Sequence, residues 1–166
     1  MAINITQNTI NAVQTMVQES FIANSKVDRM KSVLGVDLAF NKMAERIHLD
    51  IAHYFSGHMG DGLGDLLEGY NQPILYGDIP KAHEEYFSVD EILKALLDLC
   101  IDYQNKLNEC ARIAKENMDL HIYNGLMDLV EDFSEIVQQC ILLVDKSKIF
   151  KDNPTFDNFV DDFWIL

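Results

Sequence analysis

The chain has 166 residues and weighs 19.0 kDa, the size of a single domain that can bury a core without disulfide staples. Hydrophobic residues make up 48% and charged residues 24%, which excludes a disordered or collagen-like chain. Lys and Arg number 13 against 27 Asp and Glu, a net charge of −14, and no basic patch offsets it. Such a surface repels phosphate backbones, so no direct nucleic-acid binding is expected. Apolar runs are too short for a transmembrane helix, and MAINITQNTI lacks the basic and apolar regions of a secretory signal. The expected location is the cytoplasm, with no membrane association. The three cysteines, Cys100, Cys110 and Cys140, form no C-x-x-C pair and sit at apolar-periodic positions, as buried thiols of a reducing compartment would.

The three prolines, Pro73, Pro80 and Pro154, leave two long stretches free for helix. Apolar residues at Ile10, Val13, Val17 and Phe21 predict a first helix over roughly 4–24. Residues 25–35 either extend it or form a connection. A second helix is expected from Asp37 to at least Phe55, with Phe40, Met43, Ala44, Ile47, Ile51, Tyr54 and Phe55 as its apolar stripe. Gly57, Gly60, Gly62 and Gly64 follow. Each costs about 1 kcal/mol in a helix relative to Ala, so the helix either breaks there or continues for a packing reason. Residues 70–87 carry two prolines and a glycine and read as a long crossover.

Ser88 with Glu91 three residues later forms a capping box opening a third helix to about Asn117, striped by Ile92, Leu96, Cys100, Tyr103, Leu107 and Cys110. A fourth runs from about Asp119 to Lys148 through Ile122, Leu126, Leu129, Phe133, Val137 and Cys140. Two such helices joined by a minimal turn make an antiparallel hairpin. The tail PTFDNFVDDFWIL predicts a short amphipathic helix covering the bundle or a neighbouring subunit. The expected organisation is a four-helix bundle over 1–148 and a tail or short packing helix over 149–166.

Residues 57–148 resemble the ferritin-like superfamily, in particular the Dps-type mini-ferritins. The segment GYNQPILYGDIPKAHEEYFSVDEI is similar to their crossover, DLLEGYNQP to the end of their second helix, and residues 96–146 to the paired third and fourth helices. The resemblance implies an all-α, up-down, ferritin-like four-helix bundle with a long crossover between the second and third helices and a short C-terminal helix. It also implies a homo-oligomer, in the mini-ferritins a hollow dodecamer, that oxidises ferrous iron with peroxide and stores ferric mineral against oxidative damage.

Ferritin-type di-iron centres take a Glu from each of two helices and Glu-x-x-His from the others, all pointing inward. Glu45 and His48 form one such motif, and Glu19, Asp102, Asp132 and Glu135 are of the right type. At about 100° per residue, though, these carboxylates point well away from their helices' apolar stripes, as solvated faces do. Mini-ferritins instead hold iron between subunits. The resemblance places the ligands here at Asp61 and Asp65, with His58 one turn earlier and His48 further back. An i, i+4 carboxylate pair suits oxygen coordination of iron. The pattern departs from the family in lacking a first-helix histidine, in the shortening of the second carboxylate to Asp, and in a single tryptophan, Trp164, in the tail. His53, His83 and His121 read as surface histidines. Two functions therefore compete: a Dps-like iron-storage protein, and a ferritin-like bundle without iron chemistry that serves as a binding or scaffold protein. An unrelated helical bundle is the third.

Overall fold

The computed structural model describes residues 4–166; the first three residues of the expected bundle unit lie outside it. Helix α1 (Gln7–Val36) runs unbroken through 25–35, because Val27, Met30, Val33 and Leu34 continue the buried stripe of Val13, Met16 and Val17. Thr6 caps it, accepting a hydrogen bond from the Thr9 amide. The chain reverses through Ala39, which adopts a left-handed φ of 61°.

The second rod spans 41–68 and is composite. It comprises α2 (Asn41–Arg46), two π-helical segments (Ile47–Ala52 and Tyr54–Gly60) and α3 (Asp61–Glu68). The sequence explains the unusual winding. Ile47, Ile51, Phe55, Met59, Leu63 and Leu67 repeat every four residues, and all are fully buried. On a 3.6-residue helix that spacing drifts by about 40° per step and would carry the last of them round to solvent. The wider π turns, with bonds reaching five residues, take up the drift and hold the stripe on the core. The glycine cluster therefore stays helical, and for a packing reason. A Cβ on Gly62 would lie 3.1 Å from a Leu129 methyl, and one on Gly125 would collide with a Leu66 methyl. The two glycines let α3 approach the helix over 120–150.

After Gly69 and Asn71 (φ 60°) the chain leaves the rod as an extended crossover. Its backbone polar groups are met by side chains of α1. Gln14 accepts from the Leu75 amide at 3.0 Å, and Gln18 accepts from the Gly77 amide at 3.0 Å while donating to the Asp78 carbonyl at 2.7 Å. Arg29 donates to the Glu84 carbonyl at 3.0 Å. The crossover thus climbs the length of α1 and delivers the chain to the end where the second rod began. Helix α4 (Val89–Glu116) then starts with Ser88 accepting from the Glu91 amide at 3.1 Å, and Glu91 reaches back to the Phe87 amide at 2.9 Å. Met118, at φ 61°, turns the chain into α5 (Leu120–Phe150).

The order is up, down, crossover, down, up: the ferritin-like four-helix bundle. The tail forms α6 (Thr155–Asn158) and a 3-10 turn (Val160–Phe163), with Phe156 and Val160 fully buried. It runs down the groove between the second rod and α5. No helix among the described residues is long and apolar enough to cross a membrane.

Three helix N-termini are capped by carboxylates distant in sequence. Asp119 accepts from the Thr6 amide at 3.2 Å and its hydroxyl at 2.7 Å. Asp157, in the tail, accepts from the Met43 and Lys42 amides at 2.8 and 3.3 Å, supplying α2 with the cap that Phe40 cannot. Asp152 accepts from the Val89 amide at 2.8 Å. Part of the acidic composition is thereby spent on positive helix ends.

Candidate functional site

The middle of the bundle is where the fold could project metal ligands inward. Here it holds an aromatic cluster with one hydrogen-bonded hydroxyl pair. Ser20 and Tyr103 meet at 2.7 Å, and Ser20 also donates to the Met16 carbonyl at 2.7 Å. Serine has a single hydroxyl proton, so Tyr103 is the donor of the pair. Phe55 stands edge-on to Tyr103 at 4.9 Å, and Phe133 lies 4.9 Å from Tyr103. Burial pushes the Tyr103 phenol well above its ordinary range. Between α4 and α5 the buried thiols of Cys100 and Cys140 touch at 3.7 Å, and burial raises the third, Cys110, to about 12.

The carboxylates of the di-iron pattern face outward, as their angular positions predict. Glu45, Asp102, Asp132 and Glu135 are exposed. Half-buried Glu19 pairs at 3.2 Å with Lys106, which also bridges to Asp102 at 3.0 Å. Among the described residues no three of His, Cys, Asp and Glu come together to hold a metal ion. The interior side chains therefore do not fit a buried metal centre.

The four residues read from the sequence as mini-ferritin ligands are spread along the second rod. His48 is hydrogen-bonded through Nδ1 to Asp28 of α1 at 2.7 Å. His58 pairs through Nε2 with Asp132 of α5 at 3.0 Å and stacks on Tyr54, ring centres 4.5 Å apart. Asp61 and Asp65 are exposed, one turn apart on α3, and neither makes a side-chain hydrogen bond or ion pair among the described residues. The structure keeps the carboxylate pair on one helix and turns both imidazoles toward other partners.

A feature that helical periodicity hides is the five-residue spacing of His48, His53 and His58. On an α-helix, residues five apart are about 140° from each other. In the π segments they draw onto one side, and the His48 and His53 rings stand 4.2 Å apart between centres. A cavity of about 440 Å³ adjoins this row, lined by Asp50, His53, Tyr54, His58, Glu135 and Leu166. Burial, with Asp132 and Glu135 nearby, raises the Tyr54 phenol to about 12.

Comparison with known proteins places the fold. An open-pore ferritin from the hyperthermophilic archaeon Archaeoglobus fulgidus superposes with a TM-score of 0.86 at 13% identity, over 95% of this chain and 94% of its own. A humanized archaeal ferritin gives 0.87 at 15% identity, over 96% and 94%. A PmFTN variant soaked in iron gives 0.79 at 18% identity, over 87% and 92%. No protein-family model matches the sequence, and no curated protein is similar to it. The chain has the ferritin-like fold over nearly all of its described length.

Proposed function

We propose that the protein is a ferritin-like shell subunit that takes iron as cargo and stores it, without an oxidation centre inside its own bundle. The observation that carries this is the correspondence of the bundle with ferritins over nearly the full length of both chains. The net charge of −14 supports it, since carboxylate surfaces attract hard cations such as ferrous and ferric iron. The apolar interior argues against oxidation between the four helices. In the finer, mini-ferritin reading the assembly is a dodecamer, and Asp61 and Asp65, with His58 and His48 behind them, meet iron where two copies adjoin. The exposed, unpaired carboxylates of α3 suit that role better than the two histidines, each already held by an aspartate.

The second reading, a binding or scaffold bundle without iron chemistry, is favoured by the Ser20–Tyr103 pair at the centre. One experiment separates the two. Light scattering gives the particle size, and aerobic ferrous oxidation with peroxide, followed at the ferric-oxo band, gives the chemistry. A cage-sized particle that retains iron and clears ferrous ion faster than buffer supports storage. A monomer or dimer with no rate above buffer leaves the scaffold reading.

A further inference from the structure

We infer that His48 and His53 form a two-imidazole chelate on the outer face of the second rod for a divalent transition-metal ion of the Ni²⁺ or Cu²⁺ type. The inference does not rest on iron storage, since the ligands are nitrogens and the site lies outside the bundle centre.

Four observations converge on it. First, the π winding brings two histidines five residues apart into contact, ring centres 4.2 Å apart. With metal–nitrogen bonds of about 2.0–2.1 Å, two imidazoles meeting an ion at a right angle have ring centres about 4.5 Å apart, and at the tetrahedral angle about 5 Å. The observed edge-on spacing of 4.2 Å is close to the first value, so a small rotation of the exposed His53 ring suffices to bring both rings onto one ion, and the right angle belongs to tetragonal and octahedral ions.

Second, His48 is held as a metal-ligating histidine is held. A carboxylate accepts, so the 2.7 Å contact puts a proton on Nδ1, and in the neutral ring that a metal takes the Nε2 lone pair is free. Third, Asp28 is itself fixed: Asn24 donates to its other oxygen at 2.8 Å, and Ser56 donates to the Asn24 carbonyl oxygen at 2.8 Å. Ser56, Asn24, Asp28 and His48 thus form one chain of bonds ending at an unoccupied imidazole nitrogen. Fourth, the His53 side chain makes no hydrogen bond among the described residues, and it lies at the solvent-open cavity beside the row. Its nitrogens are available, and water completes the coordination.

His58 is the internal control. It continues the same five-residue spacing but is committed through Nε2 to Asp132, and its ring is stacked on Tyr54 rather than on His53.

The test is a calorimetric titration of Ni²⁺ into the EDTA-treated full chain. One ion per chain is expected, with saturable binding well below millimolar Ni²⁺. His53→Ala and His48→Ala should each weaken binding at least about tenfold, and Asp28→Asn, which spares both ligands, by about tenfold. His58→Ala should leave the affinity within about twofold of wild type. Because His53 is exposed, His53→Ala should keep the far-ultraviolet circular dichroism of the parent, so its loss of binding is not a loss of fold. Wild-type affinity in His53→Ala would overturn the assignment. So would the absence of binding below about 1 mM, or competition by equimolar Mg²⁺, which would point to carboxylates as the ligands.

Discussion

The hydroxyls of Ser20 on α1 and Tyr103 on α4 meet at 2.7 Å in the middle of the bundle, each almost wholly shielded from water. The pair is asymmetric. Ser20 keeps the Met16 carbonyl as acceptor when Tyr103 loses its hydroxyl, whereas Tyr103 has no other partner. Ser20→Ala should therefore strand a buried phenol and cost about 1–3 kcal/mol, and Tyr103→Phe about 0.5–1.5 kcal/mol. The double variant should be more stable than Ser20→Ala alone. Urea unfolding of the three proteins checks the order. A double variant as unstable as the sum of the singles would mean the two hydroxyls are not coupled.

The cap supplied by Asp119 makes stability depend on acid. Burial pushes its carboxyl up, but hydrogen bonds from Thr9 and Thr6 outweigh that and hold it below the ordinary range. A carboxyl depressed in the folded state contributes stability above the unfolded pKa of about 3.9, and loses it as pH falls through the folded value. Asp119→Asn should be less stable than wild type at neutral pH by about 1 kcal/mol. The gap should close as pH drops below about 4. Denaturation midpoints at pH 7, 4 and 3 check this: no gap at pH 7 would mean the contact is unimportant, and a gap that persists at pH 3 would mean the carboxylate charge is not its source.

Much of this bundle is legible in the amino-acid sequence. The stripes of α4 and α5, the Ser88–Glu91 cap and the crossover follow from spacing and turn chemistry. The continuation of α1 through 25–35 was also written there, in Val27, Met30, Val33 and Leu34. The winding of the second rod was harder to read, because a four-residue apolar repeat lies between the periods of α and π helices and either can carry it locally. Only the sum over Ile47 to Leu67 decides. That ambiguity hid the contact between His48 and His53. Caps such as Asp157 on α2 link residues more than a hundred positions apart, and no local pattern announces them.

Asp61 and Asp65 are the residues on which the finer iron reading stands. Both are exposed and unpaired, so Asp61→Ala with Asp65→Ala should change stability by no more than about 0.5 kcal/mol. In the assembled protein the same double change should slow ferrous uptake severalfold while leaving particle size unaltered. Iron loading per particle, measured after gel filtration, reads this directly. Unchanged loading would move storage to other carboxylates of the surface and remove the mini-ferritin site.

The last residues of the tail are clamped by one side chain that acts as a backbone. Gln139, fully buried on α5, donates to the Phe163 carbonyl at 3.0 Å and accepts from the Ile165 amide at 2.6 Å. Between them, Trp164 donates from its indole to Asp50 at 2.7 Å, tying the tail to the second rod. Gln139→Ala removes both main-chain bonds at once and leaves the amide and carbonyl of the tail to find water, which they can do only by lifting off. The global cost should be about 1–3 kcal/mol. The local effect should be larger in kind: Trp164 is the sole tryptophan, so its emission should shift to the red and become more readily quenched by iodide. Asp50→Ala should shift the emission less, since the Gln139 clamp remains. Equal shifts in the two variants would mean that the indole bond, rather than the glutamine, seats the tail.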